Sequence, residues 1–183
     1  MHFTYCPYCG EKSVKKEIGD EGWIPYCNGC QIPLWDMFTT SIICAVVNEY
    51  NEVALLQQNY VSTTKYVCVA GIMQMGENAE ETAKREIKEE LGLEVLDLKY
   101  IHSYAYEKKE MLMLGFRAKV KKAELQLSQE VDSAEWVPFE NALENAAYRT
   151  DYRRFLPQIL LPDFHIPLFP EREERSRIRR QMN

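Results

Sequence analysis

From Thr39 onward, short apolar runs alternate with polar breaks at strand spacing. "SIICAVVN" and "VALLQQN" flank the polar turn "EYNE", which predicts a β-hairpin. "YVCVAG" predicts a further strand that closes on Gly71. "LEVLDLKYIHSYAYE" and "EMLMLGFRAKV" read as two long strands joined by the charged turn "KKE", and "AEWVPF" as a final short one. Between them the period changes. Ala83, Ile87 and Leu91 recur every four residues and lay one apolar stripe along a helix over about Asn78–Leu91. Asn78 followed by Glu81 is a capping arrangement, and Gly92 followed by Leu93 fits a left-handed stop. "ENALENAAY" predicts a second helix, and the charged end "EREERSRIRRQMN" a solvated or partner-facing one. Strands flank the central helix without strict strand–helix–strand alternation. The fold class is therefore mixed α/β rather than a doubly wound parallel sheet.

Residues 1–36 follow a different rule. Cys6, Cys9, Cys27 and Cys30 stand as C-x2-C-x17-C-x2-C beside turn formers, in "CPYCGEK" and "CNGCQIP". Two such knuckles can present four thiolates to one tetrahedral Zn2+; a pair of disulfides is the alternative. A segment this small has little core of its own, so a metal here is structural, and four thiolates leave no open position for chemistry. Cys44 and Cys68 lie in apolar runs and read as buried small side chains.

Length and composition narrow the functional classes. At 183 residues, 46% apolar and 27% charged, the chain is one ordinary globular domain with a small module attached. A formal net charge of −6 argues against broad nucleic-acid binding. Within the module Lys12, Lys15 and Lys16 are balanced by Glu11, Glu17, Asp20 and Glu21, so no basic stripe emerges. No apolar run approaches the roughly twenty residues of a membrane span, and the first residues lack a secretory pattern. The expectation is a cytoplasmic protein with no membrane partner.

The central helix carries the chemistry. Glu80 can meet Lys84, and Glu81 can meet Arg85, as ordinary surface pairs. That account fails in the second half: Glu86 has Thr82 and Glu90 one turn away, and Glu90 has Glu86 and Glu94. Like charges at this spacing cost stability unless a cation completes the group, and hard oxygens on a rigid element suit Mg2+ or Mn2+. Three histidines, His2, His102 and His165, form no ligand-like pair.

Gly71, Glu77, Arg85, Glu86, Ile87, Glu89, Glu90, Gly92 and Leu93 stand as G-x5-E-x7-R-E-U-x-E-E-x-G-U, with U aliphatic. This resembles the full box of the Nudix hydrolases. The resemblance implies an α/β/α sandwich with a mixed sheet, and metal-dependent hydrolysis of a nucleoside diphosphate linked to another group. It also implies that Glu86, Glu89 and Glu90 bind the metals while Arg85 and Glu77 form a supporting salt bridge. Metal ions can neutralise diphosphate oxygens and activate a bound water for in-line attack.

A four-cysteine ribbon before the box is similar to the NADH pyrophosphatase subgroup, over about residues 1–140. The resemblance implies a homodimer that cleaves NAD(H) to AMP and nicotinamide mononucleotide, with NAD-capped RNA as a further substrate. Where that subgroup carries S-Q-P-W-P-F-P, this chain reads "SYAYEKK" from Ser103 to Lys109; only the serine and an aromatic at Tyr106 correspond. ADP-ribose and dinucleoside polyphosphates therefore stand as alternatives, as does a non-catalytic nucleotide sensor. "EVDSAEW" resembles a subgroup stretch whose first glutamate adds a metal ligand or base. That residue is Glu130 here, with Asp132 or Glu135 as alternatives and the Ala70 carbonyl as a further candidate ligand. The expected division is a ribbon over 1–36, a Nudix domain over 37–160 and a tail over 161–183.

Overall fold

A computed structural model describes residues 3–61, 63, 66–139 and 141–142. The chain divides into two compact units. Among the described residues, one comprises those up to Thr40 with Ala105–Leu112; the other comprises those from Ser41 to Tyr104 and from Met113 onward.

In the first unit, β1 (Val14–Glu17), β2 (Trp23–Cys27) and β3 (Ile32–Pro33) form a three-stranded antiparallel sheet. The first knuckle closes through Gly10 N–H donating to the Cys6 carbonyl at 2.9 Å, with Gly10 in the left-handed region at φ 76°. The core is small: Cys6, Cys27 and Leu34, with Phe3, Cys30 and Ile32 packed against them. Such a core is too thin to hold the unit without a cross-link.

The second unit is built on a six-stranded sheet of β4 (Thr39–Val47), β5 (Glu52–Gln57), β6 (Val69–Ile72), β7 (Val95–Tyr106), β8 (Met111–Val120) and β9 (Ser133–Pro138). Strand order is β7-β8-β4-β5-β9, with β6 paired to β4. The expected hairpin is β4–β5. Its turn is tied by Asn48 Oδ1, which accepts the backbone N–H of Tyr50 (2.9 Å) and Glu52 (3.1 Å), while Asn51 takes the left-handed conformation. β4 is buried along most of its length, Cys44 included, and Cys68 is buried as well.

The helix α1 (Ala79–Leu91) packs its Ala83, Ile87 and Leu91 stripe into the core formed by Ile42, Cys44, Val46, Ala54, Leu56, Val69 and Phe116. Its ends are those the sequence predicts. Asn78 Oδ1 accepts Glu81 N–H at 2.8 Å, the Glu81 carboxylate accepts Asn78 N–H at 2.9 Å, and Gly92 is the left-handed cap. The reciprocal cap uses the Glu81 carboxylate, so the predicted Glu81–Arg85 surface pair gives way to it. The second predicted helix, over 140–148, lies almost entirely outside the described residues, as does the tail.

Candidate active site

The loop before α1 and the first turns of the helix are tied by a single guanidinium. Arg85 Nε donates to Glu77 Oε1 at 2.6 Å and Nη2 donates to Glu77 Oε2 at 3.0 Å, a two-pronged bond. Its Nη1 reaches Glu86 Oε1 (2.7 Å) and Glu89 Oε2 (3.0 Å). Glu77 also accepts Gln74 N–H (3.0 Å) and lies 3.0 Å from the Thr82 hydroxyl. Bonding to Arg85, with these further donors, holds the Glu77 carboxyl down at about 2. The i±4 neighbours of Glu86 and Glu90 include no basic residue. Arg85 nevertheless serves three carboxylates: Glu77 in the preceding loop, its immediate neighbour Glu86, and Glu89 one turn on.

Glu90 lies outside Arg85's reach in a different environment. It is 3% exposed, and Gln58 Nε2 donates to its Oε1 at 2.8 Å. Its Oε2 is buried and has no hydrogen-bond partner among the described residues. Burial, opposed in part by the Gln58 bond and reinforced by the charges of Glu86, Glu130 and Glu89, pushes the Glu90 carboxyl up to about 7. Glu86 is also raised, first by burial; Arg85 offsets this while Glu89 and Glu130 add to it. Burial raises the Tyr60 phenol, as do the charges of Glu90, Glu130 and Glu86. Four carboxylates and one phenol thus share one electrostatic neighbourhood.

Gly71 makes room for one of them. Strand β6 pairs with β4 with Gly71 opposite Ile42 and Ala70 opposite Ile43, and the Gly71 carbonyl accepts the Ser41 hydroxyl at 2.8 Å. A Cβ on Gly71 would fall on the Oε1, Cδ and Cγ atoms of Glu86. The absence of a side chain there is what lets the Glu86 carboxylate lie against the strand.

Glu130 reaches the neighbourhood on a segment that wraps the end of α1. Gln126 N–H donates to the Leu91 carbonyl (2.9 Å), Trp136 Nε1 donates to the Ala123 carbonyl (3.1 Å), and Val131 is buried in the core. Beyond it, Asp132 N–H donates to the Gln57 carbonyl (2.9 Å) and Asp132 Oδ2 accepts Asn59 N–H at 2.6 Å. Glu130 and Asp132, with Asn59, Tyr60 and Gln129, line an open hollow of about 500 Å3.

The chemistry of this donor set fits a divalent cation. Hard oxygens stand on a rigid helix, like charges raise one another, and a buried carboxylate oxygen lacks any donor. The oxygens are not gathered at one point: Glu86 and Glu89 turn to Arg85, and Glu90 to Gln58. The four ribbon cysteines are gathered. Their sulfur atoms all lie within 4.8 Å of one another, with Cys9–Cys27 at 3.4 Å and Cys6–Cys30 at 3.9 Å. A tetrahedral zinc with Zn–S bonds of about 2.3 Å spaces its sulfurs by about 3.8 Å, whereas a disulfide requires about 2.05 Å. The geometry fits one metal and not two disulfides. Burial raises the Cys6 thiol, but backbone bonds at Cys9 and Tyr8 and the neighbouring thiols outweigh it and bring it down to about 7. Bonding to Cys9, together with burial, pushes Cys30 up to about 12. Four thiols this close cannot all ionise without a cation among them.

Residues 37–159, more than half the chain, match the family model of the NUDIX domain. The chain belongs to the Nudix family. Its fold is the Nudix α/β fold: a NUDIX hydrolase from Nitrosomonas europaea superposes with a TM-score of 0.66 at 19% identity, covering 85% of this chain and 92% of that one. The NAD-capped RNA hydrolase NudC of Pseudomonas aeruginosa is 29% identical over 130 residues, 70% of this chain and 46% of that protein. NudC of Edwardsiella ictaluri is 28% identical over 153 residues, 83% of this chain and 58% of that protein. The chain spans about half the length of the curated relatives it matches. Among the described residues, no helix is long and apolar enough to cross a membrane.

Within this Nudix domain the box residues Glu77, Arg85, Glu86, Glu89 and Glu90 sit on one loop and helix, with Glu130 brought beside them from a distant segment. Gln58 is the residue that the sequence reading passed over. A signal for it existed: Ala54 and Leu56 of β5 share a core cluster with Ala83, Ile87 and Leu91 of α1, and Gln58 continues their parity as a polar side chain toward that helix.

Proposed function

We propose that the chain is a Mg2+- or Mn2+-dependent diphosphatase that hydrolyses a nucleoside diphosphate linked to another group, with NAD(H) cleaved to AMP and nicotinamide mononucleotide. The observation that carries this is the buried, unpartnered Oε2 of Glu90 beside the charges of Glu86, Glu89 and Glu130. A buried charge of this kind is retained where a cation completes it. Glu86, Glu89, Glu90 and Glu130 would hold the metal, with the Ala70 carbonyl on β6 as a further ligand. Bound there, a divalent cation supplies charge neutralisation for the diphosphate and a more acidic water. Arg85 and Glu77 brace the loop–helix junction and keep the carboxylates of Glu86 and Glu89 in place. Glu89, half exposed at the helix surface, has room to take a proton from an attacking water, as does the exposed Glu130.

The similarity to NudC proteins supports NAD-linked substrates, small or as an RNA cap. The departure at Ser103–Lys109 keeps ADP-ribose and dinucleoside polyphosphates in the test. In this reading the ribbon over 1–36 holds a structural Zn2+ through Cys6, Cys9, Cys27 and Cys30, the catalytic domain covers 37–160 and the tail 161–183. The protein works as a cytoplasmic homodimer. Product analysis over NADH, NAD+, ADP-ribose, diadenosine polyphosphates and NAD-capped RNA, with Mg2+ or Mn2+, tests the proposal. AMP and nicotinamide mononucleotide from NAD(H) are expected. No hydrolysis of any of these substrates with either metal would overturn it.

A further inference from the structure

We propose that Gln58 is a positioning residue of the acidic site, whose neutral side-chain amide fixes Glu90 so that Oε2 alone is left for a divalent cation. This rests on the metal-dependent reading above and extends it to a residue outside the Nudix box. Gln58 is 5% exposed and stands one residue beyond β5, thirty-two positions away in sequence from the carboxylate it meets. Its backbone is braced on both sides. Val61 N–H donates to the Gln58 carbonyl at 2.8 Å, while the flanking Gln57 carbonyl and Asn59 N–H are both bonded to Asp132. The side chain therefore has little freedom to leave Glu90.

The chemistry of the partner matters as much as its position. A lysine or arginine at this place would orient Glu90 but cancel its charge and compete with a metal. An amide orients the carboxylate and leaves the charge intact. The cationic partner in the cluster, Arg85, is spent on Glu77, Glu86 and Glu89. Glu90 is thus held by a neutral side-chain amide and, among the described residues, by no cation, with its second oxygen unpaired. Groups that orient metal ligands in this way change metal affinity by about 10–100-fold when removed.

The test uses the full chain and Mn2+ titration followed by electron paramagnetic resonance. Gln58→Met keeps the length and removes the donor; it should weaken Mn2+ binding by about 10–100-fold. The Mn2+ concentration for half-maximal turnover should shift in parallel, with kcat at saturating Mn2+ reduced less. Gln58→Lys restores a donor but adds a charge, and Mn2+ binding should stay weak. A merely structural role would be satisfied by the lysine, and recovery of Mn2+ binding there would overturn the proposal. If either variant fails to fold, the wild-type protein still decides: sub-stoichiometric Mn2+ should broaden the Gln58 side-chain amide signals in an NMR spectrum, and unbroadened signals would overturn the proposal. Unchanged Mn2+ affinity in folded Gln58→Met overturns this inference alone. A wild-type protein that binds no Mn2+ overturns the functional reading with it.

Discussion

Gly71→Ala isolates the placement of one carboxylate. The Gly71 backbone is not in the left-handed region, so alanine can adopt it without strain. The strand cannot retreat, because Gly71 is paired with Ile42 and its carbonyl is held by Ser41. The added methyl group falls on Glu86, whose side chain must swing away and give up its 2.7 Å bond to Arg85. Losing a hydrogen bond to a charged group costs about 1.5 kcal/mol at the low end of its range. Replacing glycine by alanine in a compatible conformation returns about 0.4–1 kcal/mol by restricting the unfolded chain. The two nearly cancel, so stability should fall by about 1 kcal/mol or less. Function should not be spared. A displacement of about 1 Å in a reacting constellation costs roughly 100-fold, which corresponds to about 2.7 kcal/mol of transition-state stabilisation. The assay is kcat/KM with saturating Mn2+, alongside thermal unfolding, for Gly71→Ala, Glu86→Ala and the double variant. If alanine acts by displacing Glu86, it should cost nothing further once Glu86 is gone. Wild-type activity in Gly71→Ala, or losses that simply add in the double variant, would show that Gly71 does not act through Glu86.

In the ribbon, Cys27→Ser should lose the bound zinc and lower the unfolding temperature of the N-terminal unit; metal analysis finding no zinc in the wild-type protein, purified without chelators, would contradict this. Glu130→Gln should depress kcat more than it raises KM, because a ligand lost near the reacting diphosphate acts on the transition state; a pure KM effect would remove Glu130 from the site. Glu77 is held at about 2, below its ordinary 4.5, by Arg85. The stabilisation it contributes is therefore fully present above pH 4.5 and is lost as pH falls toward 2. Denaturant titrations of wild type and Glu77→Gln should converge across that window, and a constant gap would argue against the bridge.

What could be read from the sequence was local in its physics. Asn78, Glu81 and Gly92 mark the ends of α1 because capping uses residues within one turn, and the Ala83–Ile87–Leu91 stripe faces the core because the helical period dictates it. Asn48 and Asn51 shape the β4–β5 turn in the same local way. Helix periodicity alone cannot supply the Arg85–Glu77 bridge, because it needs a loop that folds back onto the guanidinium; the box pattern implies it instead. The Glu81 side chain, meanwhile, is taken by the cap. Gly71 is visible as a glycine, but what fills the space it leaves depends on how α1 packs against β6. Gln58 is the clearest case. Its bond to Glu90 joins a strand end to a helix far along the chain, and only strand parity hints at a buried polar residue there.

Hydrolysis of NAD(H) and ADP-ribose in Mn2+ by purified wild-type, Glu89→Gln and Glu90→Gln proteins, each verified to be folded, decides whether the acidic cluster is a catalytic metal site. The wild type should release AMP, and either substitution should remove turnover, a loss of several kcal/mol of transition-state stabilisation, while the unfolding temperature is maintained. Near-parental turnover in a folded Glu89→Gln or Glu90→Gln protein would contradict that assignment.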